Sequence, residues 1–443
     1  MKNYKEMLKN QECKIAVWGA GYIGFSNLCL WGKNGINSIA IDINPNVVNS
    51  IMNNNMHLNE FDYWLGFDYS YLIEKGVFSV STDWQVLKNE NILFHLICVP
   101  TEKDGIPNMD AVFDVADKIA HLENDTESDE TLIIIESTLT PGSAEKIEER
   151  LISKIINKKV HFGVSPRRDW FMSGDKNMEN LSRVYGGNSE EANKVMKDVL
   201  SIICRNLVEA SDYRHAEIVK TVENAFRHVD IALANQLALA FPHLNMREVL
   251  VLAGTKWNMN TYYPSFGTGG YCIPLSSKYL LEGSSKPEIL TLLKNTVDFE
   301  ENLLEQICGT IMKWNVKNVG ILGVSYKEDI KVDKLSPAVR ILKYLKEKGI
   351  NIKLNDCYYS EEEIKARFKV DYFNEFDMQS YNQFDAIIII SAHRNYKLID
   401  RKKIIANLSK CKVIFDNTGM WEDFEELKNL GIEYKLAGAK NWI

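Results

Sequence analysis

The chain has 443 residues, and 52 Lys plus Arg against 60 Asp plus Glu leave a formal charge of −8. That length implies two or three domains, and the acidic balance excludes a sequence-wide electrostatic pull toward nucleic acid or anionic membrane. With 45% hydrophobic and 25% charged residues, the composition is that of a folded globular protein and not of a disordered or fibrous one.

The longest apolar runs, 132–135 and 386–390, are far too short to cross a bilayer. The opening residues Met1-Lys2-Asn3-Tyr4-Lys5 lead into a charged stretch without the apolar core of an export signal, so a cytoplasmic location is expected. Eight cysteines lie at positions 13, 29, 98, 204, 272, 308, 357 and 411, with no C-x-x-C pair. That spacing supports neither a disulfide framework nor a zinc site, and no metal is expected.

Short apolar segments bounded by turn residues read as strands at 14–19, 39–43, 93–99, 131–137 and 160–164, with helical stretches between them. Continuous apolar runs suggest strands buried on both faces, hence a parallel sheet and a doubly wound α/β domain over 1–210. The pattern then changes. Residues 213–241 read as one long helix, with Ile218, Val219, Val222, Ala225, Phe226, Val229, Ile231, Ala232 and Leu233 as apolar positions and Pro242 ending it. No strand signal follows until about 318, so 211–314 reads as a helical middle domain. Strand-like runs resume at 318–324, 351–356, 384–391 and 412–416, giving a second Rossmann-like domain over 315–443. The fold class expected is α/β, with two doubly wound Rossmann-like domains joined by a long central helix and a helical middle domain. A cleft is expected between the lobes.

Gly19-Ala20-Gly21-Tyr22-Ile23-Gly24 follows the first strand and opens a helix, which is the context that gives G-x-G-x-x-G its meaning. The first glycine permits a tight turn, the second admits a pyrophosphate to the backbone, and the third lets helix and strand pack closely. Asp42 ends the second strand 18 residues after Gly24. An acid there accepts hydrogen bonds from the adenosine ribose and disfavours a 2′-phosphate, so NAD is expected over NADP.

Gly267-Thr268-Gly269-Gly270-Tyr271-Cys272-Ile273-Pro274 is a glycine-rich loop with one cysteine. A cysteine displayed there could be a nucleophile, but spacing alone favours a small buried residue. Lys220 and Asn224 lie four apart on one face of the long helix, near Glu217 and Arg227, as a solvated polar face or as the lining of a cleft. Val99-Pro100-Thr101 and Glu136-Ser137-Thr138 end the fourth and fifth strands, at the edge where ligands bind in such sheets.

With Tyr326-Lys327 and Ser336-Pro337, these motifs occur in the order and at the approximate separations of one family. The chain resembles the UDP-glucose/GDP-mannose dehydrogenases, the nucleotide-sugar 6-dehydrogenases, over essentially its full length. Segments 223–227, 231–235 and 270–274 look most like the branch that oxidises UDP-N-acetylhexosamines such as UDP-N-acetylmannosamine. The resemblance implies oxidation of a primary alcohol to a carboxylate with reduction of two NAD, through a thiohemiacetal and a thioester on Cys272. Lys220 would stabilise charge on oxygen, Asn224 would be its neutral partner, and Thr138 would hold a water. NAD would meet residues 19–24, Asp42, Val99, Pro100, Thr101, Glu136, Ser137, Thr138 and Lys334. The nucleotide sugar would meet Arg167, Lys220, Asn224, Tyr263, Phe266, Gly267, Gly269 and Lys327. A homodimer through the long helix and a role in surface polysaccharide synthesis are also implied.

The chain departs from the family pattern at five places. Arg167 stands where a glutamate normally follows Ser165-Pro166, and Arg168-Asp169-Trp170-Phe171 comes after it. Ser276 replaces an aspartate, Lys334 an arginine, and Lys331-Val332 an acidic pair, with Asp333 displaced by one. The arginine expected before the cysteine has no counterpart; Lys256 and Asn258 stand in that region. Arg167 is therefore expected to read an unusual substituent of the sugar, or thioester hydrolysis to be impaired. A one-step alcohol dehydrogenase and a non-catalytic binder of NAD and nucleotide sugar are the competing readings.

Overall fold

The computed structural model describes residues 3–55, 61–169, 176–422 and 426–443; Trp170 and Phe171 of the motif above lie outside them. The chain divides into two compact units, Met1–Glu223 with Lys278–Ser285 and Asn224–Ser277 with Lys286–Ile443.

The first unit contains β1 (Lys14–Trp18), β2 (Ser38–Ile41), β3 (Phe78–Ser81), β4 (Ile92–Ile97), the short pair β5 (Glu102–Lys103) and β6 (Ile106–Pro107), β7 (Glu130–Ile135), β8 (Lys159–Val164), β9 (Arg183–Gly187) and β10 (Leu207–Glu209). The main sheet has the order β10-β9-β8-β7-β4-β1-β2-β3. It is parallel except where β9 runs against β8. Its β3-β2-β1-β4-β7-β8 portion is the doubly wound order, with the switch point between β1 and β4.

The continuous apolar runs have the cause expected of them. Ile15, Val17, Leu96 and Ile134 feed one core, while Ala16, Trp18, Ile97, Ile133 and Ile135 feed the core on the opposite face. A fully buried aliphatic side chain stabilises by roughly 1.5–3 kcal/mol, so a strand with apolar groups on both faces is fixed in the middle of the sheet. The strands absent from the sequence reading lie toward the margins. Phe78-Ser79-Val80-Ser81 of β3 buries only alternate residues and so gives no continuous apolar signal.

The second unit carries β11 (Asn318–Leu322), β12 (Asn351–Asn355), β13 (Asp371–Tyr372), β14 (Ala386–Ile389), β15 (Val413–Asp416) and β16 (Glu433–Leu436). Their order, β13-β12-β11-β14-β15-β16, repeats the doubly wound arrangement with every pair parallel. The α/β class with two Rossmann-like sheets and helices between them in sequence is thus the observed one.

A long helix, Tyr213–Ala240, carries the boundary between the units at Glu223/Asn224. In the second unit Ala234 and Ala238 of this helix, Leu250 of Met246–Ala253, and Leu303, Ile307 and Ile311 of Thr291–Lys313 share one apolar cluster with Val319, Ile321 and Phe415. The helical stretch therefore packs into the core of the C-terminal sheet. Among the described residues, no helix is long and apolar enough to cross a membrane.

Candidate active site

In the first unit, β1 ends on Gly19, whose φ of +92° and close approach to the Cys98 carbonyl leave no room for a side chain. A Cβ on Gly24 would stand 1.7 Å from the Gly19 oxygen. At Gly21, by contrast, a Cβ would meet nothing within 4 Å, and no side chain caps the helix Tyr22–Lys33 that begins there. Uncapped N–H groups beside open space are what a pyrophosphate requires. Asp42 Oδ2 accepts from the Ala20 N–H at 2.8 Å and Oδ1 from the Asn44 N–H at 2.9 Å. Each oxygen keeps a lone pair for a ribose hydroxyl. Ile43, read from the sequence as part of the second strand, lies beyond its end and is 85% exposed, so it offers an apolar surface directly after that acid. The residues fit a dinucleotide.

The strand-end segments of the same unit are tied to one another. The Ser137 hydroxyl donates to the Val99 carbonyl at 2.7 Å, and the Thr101 hydroxyl donates to the Thr138 carbonyl at 2.6 Å. The Tyr279 hydroxyl donates to the Thr101 carbonyl at 2.9 Å. Pro100 is exposed and Thr138 half-buried, so these turns keep an open side.

Arg167 and Glu136 turn inward. Arg167 is 1% exposed. Its guanidinium binds Asp169, the Ser26 hydroxyl at 2.9 Å, the Ile23 carbonyl at 3.4 Å and Glu136 at 3.4 Å. Glu136 also accepts from Asn27 Nδ2 at 2.6 Å and pairs with Arg183, which donates to the Ser165 hydroxyl at 2.7 Å. Burial alone would raise the Glu136 pKa, but the two guanidiniums outweigh it and hold the carboxyl below its ordinary value. Two acids and two arginines form a neutral cluster under the glycine-loop helix. The expectation that Arg167 faces a sugar meets a side chain whose donors are already engaged inside its own unit.

Glu217 is likewise buried, and its carboxylate accepts from the Gly142 and Ala144 N–H groups at 2.9 and 2.8 Å. It caps the helix Ser143–Lys154 and lines no polar face. Lys220, one turn later, is half-buried.

In the second unit the glycine-rich loop is held mostly through its backbone. The Ser265 N–H donates to Asn235 Oδ1 at 2.7 Å, Phe266 N–H to Asn417 Oδ1 at 2.6 Å, and Thr268 N–H to Glu300 Oε2 at 2.7 Å. The Gly270 N–H donates to the Lys334 carbonyl at 3.0 Å. At Gly270 (φ +78°) a Cβ would stand 2.7 Å from the Tyr326 ring. The glycine there serves packing against Tyr326, where the sequence suggested close approach of a ligand. Gly269 has the same neighbour, and Gly267 lies against Glu300. Phe266 is fully buried and stacks on Trp442 with ring centres 6.0 Å apart, so it presents no side chain to a sugar. Tyr263 is 47% exposed, with the Arg247 guanidinium 4.7 Å from its ring centre. Lys327 and Lys334 are half-buried.

Glu300 and Asn417 were not anticipated. Glu300 falls in the buried stripe Thr296, Glu300, Leu303, Leu304, Ile307 of its helix, and an acid on an apolar face is the sequence signal that marks it. Burial raises its pKa against the Thr268 and Asn235 hydrogen bonds.

Cys272 immediately precedes the helix Ile273–Gly283 and is the one exposed cysteine of the eight. Burial pushes the thiols of Cys308, Cys357 and Cys411 up to about 12. The Cys272 carbonyl accepts from the Ser276 hydroxyl at 2.6 Å, and that hydroxyl accepts from Asn224 Nδ2 at 3.1 Å. Asn224 thus reaches the cysteine backbone through Ser276, at the position where the family pattern has an acid. Two other clusters carry metal-type ligands among the described residues. His393 Nδ1 accepts from the Asp329 N–H at 2.9 Å and Nε2 faces Asp356 at 3.2 Å, committing both ring nitrogens. In the other, Glu130 lies 3.2 Å from His161 Nε2 and Glu191 pairs with Lys159.

Comparison with known proteins agrees with both sheets. Residues 13–203 match the NAD binding domain of the UDP-glucose/GDP-mannose dehydrogenase family, 214–301 its central domain and 320–423 its UDP binding domain. A UDP-N-acetyl-D-mannosamine dehydrogenase of Methanocaldococcus jannaschii is 30% identical over 92% of this chain and 94% of its own length. Protein CapL of Staphylococcus aureus is 27% identical over 92% and 96%. The structure of a UDP-D-ManNAc dehydrogenase from Pyrococcus horikoshii superimposes with a TM-score of 0.81 at 22% identity, covering 97% of this chain and all of that one. The chain therefore belongs to the UDP-glucose/GDP-mannose dehydrogenase family and is an NAD-dependent nucleotide-sugar dehydrogenase.

Proposed function

We propose that the chain oxidises the C6 hydroxyl of a UDP-N-acetylhexosamine, UDP-N-acetyl-D-mannosamine first among them, to the uronate through a thioester on Cys272. The observation that carries this reading is the exposed Cys272 thiol before a helix, in a loop whose backbone is fixed at four points. A helix N-terminus favours negative charge, which suits an attacking sulfur. The relatives' names support the sugar.

NAD, when bound, supplies the two-electron acceptor for each oxidation. Cys272 Sγ adds to the C6 aldehyde, retains it as a thiohemiacetal, and is acylated by the second oxidation; water then cleaves the thioester C–S bond, releasing the uronate and returning the thiol. Covalent capture keeps a reactive aldehyde from escaping. Lys220 stabilises negative charge on the reacting oxygen, Asn224 holds the Cys272 segment through Ser276, and Thr138 orders water. Asp42 and residues 19–24 hold NAD, while Tyr263, Gly267, Gly269 and Lys327 remain as sugar-nucleotide contacts. Arg167 and Phe266 leave that set, because their side chains are enclosed.

The product would feed surface polysaccharide synthesis from the cytoplasm. A homodimer accompanies this reading. In the second unit Phe226 and Leu233, seven apart on the long helix, are 71% and 51% exposed, and Leu252 and Trp257 are 62% and 91% exposed. A second copy is the proposed cover for these exposed apolar side chains.

NADH formation across UDP-, GDP- and CDP-sugars tests the reading. It expects two NADH per sugar, with UDP-N-acetylmannosamine among the best substrates. NAD binding without NADH from any sugar would sink it.

A further inference from the structure

The helix behind Cys272 is held by two consecutive serines, and the second of them leads to a residue outside the proposed chemistry. Asn224 and His228 stand one turn apart on the long helix, so both side chains leave it on one face. Asn224 Nδ2 donates to the Ser276 hydroxyl at 3.1 Å, and His228 Nδ1 lies 2.9 Å from the Ser277 hydroxyl. His228 Nε2 lies 3.5 Å from the Thr268 hydroxyl, a looser contact. His228, Ser276 and Ser277 are each 1% exposed or less.

Consecutive helical residues project about 100° apart. The buried Leu275 and Tyr279 already hold the body of the helix Ile273–Gly283, and Ser276 alone would give its first turn a single polar anchor on the long helix. A second bond to Ser277, from the same face of the long helix, fixes that first turn at two points and so the azimuth from which Cys272 projects. The contact toward Thr268 ties the other end of the cysteine-bearing segment to the same imidazole. Either tautomer serves, since each hydroxyl can donate or accept.

We propose that His228 is a positioning residue for Cys272. It acts through Ser277 and Thr268 and sets the orientation of the thiol. The proposal rests on the reading of Cys272 as the nucleophile. It also predicts a structural effect that needs no turnover.

The test combines backbone hydrogen exchange with steady-state kinetics on the full chain. In His228→Ala, amides of 268–277 should exchange about tenfold faster, the equivalent of one lost hydrogen bond, with the sheets unaffected. The kcat should fall at least as far, with KM for NAD unchanged. His228→Asn, whose amide can replace Nδ1 toward Ser277, should recover most of both. Ser277→Ala removes only the hydroxyl and should reproduce His228→Ala, which keeps the test decisive if the larger change prevents folding. Unchanged exchange at 268–277 overturns the proposal. So does faster exchange with unaltered kcat, or an Asn variant no better than Ala. If the native chain makes no NADH from any nucleotide sugar, the proposed function falls, and exchange in the variants still decides whether His228 fixes the segment.

Discussion

A single side chain shows how far local pattern and tertiary direction can diverge. Arg167 occupies a position where family pattern suggested a contact with substrate, yet its guanidinium is spent on Asp169, Glu136, Ser26 and Ile23. Arg167→Met should therefore destabilise the first unit by about 3–5 kcal/mol, since it strands the buried Asp169 carboxylate and removes one of the two guanidiniums that hold Glu136. Thermal unfolding checks this, and KM for the nucleotide sugar should stay within about twofold of the native value, below 1 kcal/mol of altered binding. A changed sugar preference with unaltered stability would contradict it. Asp42→Ala should weaken NAD binding about tenfold or more, the effect of losing charge-assisted hydrogen bonds, as read by calorimetric titration. The glycine fingerprint was legible because its turn depends on neighbours in sequence, and Asp42 because it follows the strand that pairs with β1. Arg167 was not, because Ser26 and Glu136 reach it only after the sheet has formed.

At the level of elements, buried ion pairs make the first sheet sensitive to acid. The carboxyls of Glu136 and Glu123 are pulled up by burial and pulled down further by their partners, Arg183 and Arg167 for one, His95 and Lys158 for the other. A carboxyl whose folded pKa is depressed contributes stability that is fully present above its unfolded value. That contribution is lost as pH falls through the folded value. Stability should thus decline from near the ordinary glutamate value of 4.5 downward. Glu136→Gln should be less stable at pH 7 and show a shallower acid limb in urea titrations at several pH values; an unchanged limb would refute the assignment. The central strands were readable as unbroken apolar runs, whereas β3 was not, since it buries one face. Glu300 and His228 were passed over for a related reason: a polar residue in an apolar stripe looks like noise until its partner across the fold is known.

For the whole molecule, the two α/β regions and the helical stretch between them were legible, because the apolar period changes at about 211 and again at about 315. The way the middle helices share the core of the C-terminal sheet was not, since periodicity shows that a face is buried without naming what covers it. Phe226→Glu with Leu233→Glu should convert the proposed dimer to a monomer in light scattering, at unchanged helix content. A native chain that is monomeric at micromolar concentration would contradict the dimer. The account turns on the thiol of Cys272, and NADH counted against uronate formed tests it most directly, in the native chain and in Cys272→Ala. Two NADH per uronate from the native chain, and no uronate from the variant while it still binds NAD, is the predicted result. Uronate formed by Cys272→Ala would contradict it.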